Sequence, residues 1–154
     1  MKWHRLRLAE VATVGALFLI VGCSGGGATP SPAGTTVDVT LQEWSVNPAQ
    51  SSAPAGAITF NVTNNGPADI HEFVVIKTDL APLELPTDET GTVVEGGEGM
   101  EVKDEIEDIE VGASADLTVQ LDAGAYLLIC NIYSEDEQEA HYQMGMVAPF
   151  TVNP

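Results

Sequence analysis

Positive charge is scarce in this chain: Lys and Arg together number 5 among 154 residues, against 23 Asp and Glu. So acidic a surface repels nucleic-acid phosphates and anionic lipid headgroups, which makes both poor direct partners. Cysteine is scarcer still, with Cys23 and Cys130 alone, and the histidines are His4, His71 and His141. No CxxC pair, G-x-S-x-G elbow or phosphate-binding glycine loop occurs, so dithiol, serine-hydrolase and nucleotide chemistry have no sequence support. No segment carries a long helical stripe, and no internal repeat is visible.

The first residues read as an export signal. Lys2, Arg5 and Arg7 precede an apolar run from Val11 to Gly22. As a helix it would extend only roughly 18 Å, short of a ~30 Å hydrocarbon core, so it fits a signal peptide and not a spanning anchor. The run ends Leu19-Ile20-Val21-Gly22-Cys23, which resembles the lipobox of bacterial-type lipoproteins. That resemblance implies cleavage after residue 22 and lipidation of Cys23, placing the protein on the extracytoplasmic side of the cell membrane. Residues 23–36, small, polar and proline-containing after the cysteine, are expected to form a tether. Cleavage removes three basic residues and Glu10, leaving Lys77 and Lys103 against twenty-two acids, a net charge of −20. It also leaves Cys130 as the lone thiol of an exported chain, where cysteines ordinarily pair.

Residues 37–154 are expected to form one domain. Val37, Val39 and Leu41 alternate with polar residues, as do Ile58, Phe60 and Val62 and then Leu117, Val119 and Leu121, the period of half-buried strands. Phe73–Ile76 and Ala125–Ile132 are nearly continuous apolar runs suited to central strands, and Met146–Val152 closes the chain. Asn64-Asn65-Gly66-Pro67 marks a turn. The predicted class is an all-β Greek-key sandwich. Residues 80–112 are acidic and glycine-rich; Val102, Ile106, Ile109 and Val111 predict strand within them, with a short helical turn.

Two segments carry the chemistry. In the first, Gly124-Ala-Tyr126-Leu-Leu-Ile-Cys130 leads through a loop to His141-Tyr-Gln-Met144-Gly145-Met146; in the second, Asn64-Asn65-Gly66 precedes His71-Glu72-Phe73. The G-x-Y-x-x-x-C strand followed by H-x4-M resembles the cupredoxins, the blue-copper family, and most closely their sulfocyanin-like and plastocyanin- and azurin-like secreted members. The resemblance implies a cupredoxin fold over 37–154 and one copper ion held by His71, Cys130, His141 and Met146. Met144, two residues before Met146, is the competing axial candidate. One thiolate, two imidazoles and a weak thioether suit both Cu(I) and Cu(II), and copper would account for the unpaired thiol. Ten residues separate Cys130 from His141, more than in the plastocyanin-like pattern, with Ser134–Glu139 as the insertion.

The expected function is single-electron transfer between redox partners at the outer face of the membrane. With two histidines already used, no second copper centre can be assembled, and an enzyme is not expected. A copper-storage or copper-delivery lipoprotein is the alternative, and a structural β-sandwich with incidental histidines a third reading. The expected partner is a redox protein, a cytochrome or an oxidase domain of basic charge, met by a monomer. The resemblance places the His141 ring edge near the surface as the electron exit, ringed by Met144, Met146, Ala148 and Pro149. Glu135, Asp136, Glu137 and Glu139 would stand beside it as a docking patch. The acids of residues 95–108 are expected to lie farther off.

Overall fold

Eleven strands run through residues 34–154, the part of the chain that the computed structural model describes: β1 (Thr35–Gln42), β2 (Ser45–Pro48), β3 (Ser52–Pro54), β4 (Gly56–Asn64), β5 (His71–Thr78), β6 (Met100–Ile109), β7 (Ser114–Leu121), β8 (Gly124–Ile129), β9 (Tyr133–Ser134), β10 (Glu139–Ala140) and β11 (Val147–Asn153). The expected signal peptide of residues 1–22, Cys23 and the tether as far as residue 33 lie outside the described residues. Thr35 and Thr36 already pair in β1, and the core begins at Val37.

The strands form two sheets, ordered β2-β1-β4-β7 and β3-β11-β8-β5-β6, and a separate β9–β10 hairpin. β1 runs parallel to β4 and β11 parallel to β3, while the other pairs are antiparallel. Such crossovers are the mark of a Greek-key sandwich. The alternating residues of β1, β4 and β7 turn Val37, Leu41, Ile58, Phe60, Val119 and Leu121 inward against Phe73, Val75, Leu128 and Phe150 of the second sheet. The aromatic rings of Phe73 and Phe150 meet Phe60 at centroid distances of 5.3 and 5.5 Å.

The continuous apolar runs have a second cause. The outer face of β5 and β8, with Val74, Ile76, Leu127 and Ile129, is also buried, under Leu85, Val93 and Tyr142. The segment between β5 and β6 therefore acts as a cover, which a strand apolar on both faces requires. It is held by a Thr87–Val93 bridge and by the Leu85 N–H, which donates to the Tyr142 hydroxyl at 3.1 Å. No helical turn forms there: three of its glycines adopt positive φ, and residues 100–109 are strand, as Val102, Ile106 and Ile109 predicted, while Val111 falls in the exposed turn that follows.

The sandwich has two distinct ends. Asn64, where β4 stops, contacts the Ile109 carbonyl, and Ile109 pairs with His71, so the β4–β5 turn and His71 share one end. Gly56 of β4 pairs with Leu121, and Thr35 of β1 with Ile58, so the chain enters at the other end. Lys77 lies six residues along β5 from His71, roughly 20 Å at strand rise. It stands over the Tyr126 ring at 5.9 Å, and Lys103 pairs with Glu101 at 2.8 Å. Both lysines of the described residues thus sit toward the end where the chain enters.

Candidate metal centre

Three loops deliver three donor atoms to one buried point. A register shift in the β5–β6 ladder between His71 and Phe73 marks the start of β5; such bulges re-aim side chains next to functional sites. His71 points inward, and Glu72 takes the opposite face. Cys130 follows β8 directly; its N–H donates to the Met146 carbonyl at 3.1 Å, and its Sγ accepts the Glu72 N–H at 3.3 Å. His141 is set by its own N–H, which donates to the Ile132 carbonyl at 2.9 Å, and by the Met146 N–H, which donates back to the His141 carbonyl at 3.1 Å.

The long Cys130–His141 interval is resolved by the β9–β10 hairpin. Tyr133 pairs with Ala140 and Ser134 with Glu139, with Gln138 at positive φ in the turn. The insertion thus folds back on itself as a hairpin ahead of His141. Gly145, at φ 113°, makes the last bend before Met146.

The geometry at the centre is tight. The Nδ1 atoms of His71 and His141 are 3.2 Å apart, and Cys130 Sγ lies 3.8 Å from the first and 3.4 Å from the second. All three residues are fully buried, and Met146, also fully buried, packs in the same core as Cys130. Met144 instead stands 42% exposed, so of the two methionines only Met146 belongs to the interior of this end. Burial, and then the neighbouring His141 charge, depress the His71 pKa, and burial depresses that of His141, so both imidazoles are neutral and free to donate a lone pair. Burial pushes the Cys130 thiol up to about 12; a metal must displace its proton to gain the thiolate.

Two nitrogen lone pairs and one sulfur converging in a dry pocket, beside a buried thioether, fit copper better than a harder ion, since the donor set is the soft thiolate and imidazole one. The residues present therefore suit a single copper.

No protein-family profile and no curated protein matches the sequence. Among solved structures the chain is similar to auracyanin from the photosynthetic bacterium Roseiflexus castenholzii, at 22% identity over 79% of this chain and 99% of that one, with a TM-score of 0.55. It is also similar to auracyanin B, at 20% identity over 78% and 89% of the two chains and a TM-score of 0.53. An azurin from Methylomonas sp. strain J matches at 16% identity over 79% and 100%, with a TM-score of 0.51.

The chain has the cupredoxin fold.

Within that cupredoxin fold several features depart from expectation. His141 is only 1% exposed, so its ring edge is not an open exit. Trp44, in the β1–β2 turn, packs edge-on against it with ring centroids 4.9 Å apart. Of the apolar ring expected around it, Met144 and Pro149 reach the surface while Met146 and Ala148 are buried. Glu135, Asp136 and Glu137 are exposed on the hairpin and Glu139 is half-buried. The acids of residues 95–108 are not remote: the carboxylates of Glu95 and Glu105 gather with that of Glu72, the neighbour of His71, all within 4.8 Å of one another. Burial first, and then Glu105, Glu95, Glu107 and Asp108, raise the Glu72 carboxyl to about 7.

Glu43, beside Trp44, also escaped the sequence reading. Its Oε1 accepts the N–H groups of Ala68 at 3.0 Å and Asp69 at 2.7 Å and lies 3.8 Å from His71 Nε2. Burial works to raise this carboxyl, but backbone N–H donors, those of Asp69 and Ala68 first, together with His71 outweigh it and hold it below the usual carboxylate range. Neither Glu43 nor Trp44 stands in the H-E-F or C…H…M segments, and a polar-aromatic pair in a tight turn carries no pattern that points to a site.

Proposed function

We propose that this chain is a mononuclear type 1 copper protein that passes single electrons between redox partners at the outer face of a membrane, to which a lipid on Cys23 ties it. The observation that carries the reading is the convergence of His71 Nδ1, His141 Nδ1 and Cys130 Sγ, at 3.2–3.8 Å from one another and shielded from water. Copper held there supplies a Cu(I)/Cu(II) couple whose two states accept the same ligand set. The protein's part is to keep that set from rearranging. His71 and Cys130 stand at strand ends of one sheet, Cys130 is tied to Met146 and Glu72 through the main chain, and His141 is locked between the Ile132 and Met146 backbones. Met146 would supply the fourth, thioether donor in this reading. No group here is assigned a catalytic role, and the partner is a cation-bearing redox protein that approaches the acidic end holding the site.

The test is copper loading of the purified domain, followed by visible absorption and EPR. An intense thiolate-to-copper band with a reversible one-electron potential is the expected result, lost in Cys130→Ser and perturbed or under-occupied in His71→Ala. A colourless protein that takes only Cu(I) would replace electron transfer with copper storage or delivery.

A further inference from the structure

Among the few buried polar atoms of the described residues that find no hydrogen-bond partner are His71 Nε2 and Glu43 Oε2, and the other oxygen of that carboxylate, Oε1, lies 3.8 Å from His71 Nε2. The Glu43 side chain is 11% exposed and the His71 side chain 0%. The carboxylate is anchored through that same Oε1 by the Ala68 and Asp69 N–H groups, in the loop that leads into His71. We propose that Glu43 is the positioning residue for the His71 ligand: its carboxylate accepts a hydrogen bond from the Nε2–H of His71, fixes the ring with Nδ1 toward Cys130, and places a negative charge beside the site that favours the more oxidised metal. This inference rests on the copper reading of the site.

The chemistry follows from the ring. When Nδ1 gives its lone pair to a metal, the proton must sit on Nε2. A buried N–H needs an acceptor, and Glu43 offers one on a group already held in place by two donors. At 3.8 Å Oε1 is close to Nε2 but not hydrogen-bonded, and Oε2 of the same carboxylate has its lone pairs free. Histidine ligands whose second nitrogen is held by a carboxylate are more basic and better oriented, and loss of such a partner typically costs about 10–100-fold in metal affinity. A full charge rather than a carbonyl dipole at this position stabilises Cu(II) over Cu(I), and so lowers the reduction potential.

Glu43→Gln separates this role from a purely structural one, because the amide oxygen still accepts the Ala68 and Asp69 N–H groups. In the copper-loaded full chain, Glu43→Gln is expected to keep its colour while the ratio of Cu(II) to Cu(I) affinity falls about tenfold, a rise of about 59 mV in potential for one electron. Glu43→Ala, which also frees the loop, should lose copper affinity as well. In the metal-free protein, 15N shifts of the His71 ring are expected to show the proton on Nε2 in wild type and a tautomer mixture in Glu43→Gln, with urea unfolding nearly unchanged. If Glu43→Gln has the wild-type potential and the wild-type tautomer, the carboxylate only ties the loop and the inference falls while the copper reading stands. If wild type takes up no copper, the copper reading itself falls. Should the variants fail to fold, the wild type still decides: a His71 Nε2–H in the Cu(I) form that exchanges rapidly with solvent overturns the proposal, and a protected one supports it.

Discussion

Met146 and Met144 are two residues apart and differ in everything that matters to a ligand. The first is fully buried in the core beside Cys130, and the second stands 42% exposed. Met146→Leu is expected to raise the reduction potential and keep the protein coloured, since a weak axial ligand tunes the site without forming it; the swap nearly conserves volume and should cost under about 1.5 kcal/mol of stability. Met144→Leu should leave the potential near the wild-type value. Cyclic voltammetry of both variants checks the assignment, and the reverse pattern would move the axial role to Met144. Cys130 offers a second check at the same scale. Burial holds its thiol near 12 and out of reach of reagents, so iodoacetamide should fail to label the folded metal-free protein at pH 8 and label it readily in urea.

The elements around the site depend on Asn64, the last residue of β4 and fully buried. Its amide nitrogen donates to the Asp69 and Ile109 carbonyls, and its oxygen accepts the Gly66 N–H, each at 2.8 Å. Asn64→Ala leaves those groups unpaired and is expected to cost about 2–3 kcal/mol in urea unfolding, with lower copper occupancy because the turn before His71 loosens. β6 carries a different liability. The Glu105 carboxyl is raised by burial and then by Glu95, Glu107 and Asp104. A folded pKa above the unfolded one means stability that is intact below about pH 4.5 and is lost as pH rises through the folded value. Glu105→Gln should therefore raise the melting temperature at pH 7 by roughly 1–3 °C at low salt, less at high salt, and nothing at pH 4. These elements also show what the sequence made legible. β1, β4 and β7 announce themselves because one face of each is wet and the alternation survives. His71, Cys130, His141 and Met146 are legible because so few residues of those types exist that chance placement is a poor account. The cover over β5 and β8 is not, since its buried residues, Leu85 and Val93, are isolated among acids and glycines. Glu43, Trp44 and the Glu72–Glu95–Glu105 group are not either: each joins segments distant in the chain, and no local period encodes a contact between loops.

At the scale of the whole molecule the charge is unevenly spread. Neutralising Glu135, Asp136, Glu137 and Glu139 to their amides is expected to slow electron transfer to a basic partner by about tenfold and flatten its salt dependence. The control belongs at the far end, on Asp79, Glu98, Glu101 and Asp122, because Glu95 and Glu105 lie beside Glu72. Stopped-flow rates at several ionic strengths compare the two sets; equal effects would reduce the hairpin acids to bulk charge. Attachment is tested by feeding labelled fatty acid, which should enter the wild type and not Cys23→Ser, whose domain should leave the membrane fraction. Both tests bear on the end at which β1 begins. Thr35 pairs beside Ile58, at the opposite pole from His71, and the lysines lie toward that same pole. A domain tied by Cys23 would be moored at the end that carries both lysines. That end also carries Asp79, Glu98, Glu101 and Asp122, more acids than lysines, so an anionic bilayer would repel both poles and only the mooring would set which one faces outward. If Cys23 is the tether, the copper end is the pole left free of it, where a diffusing partner would meet it before the lipid.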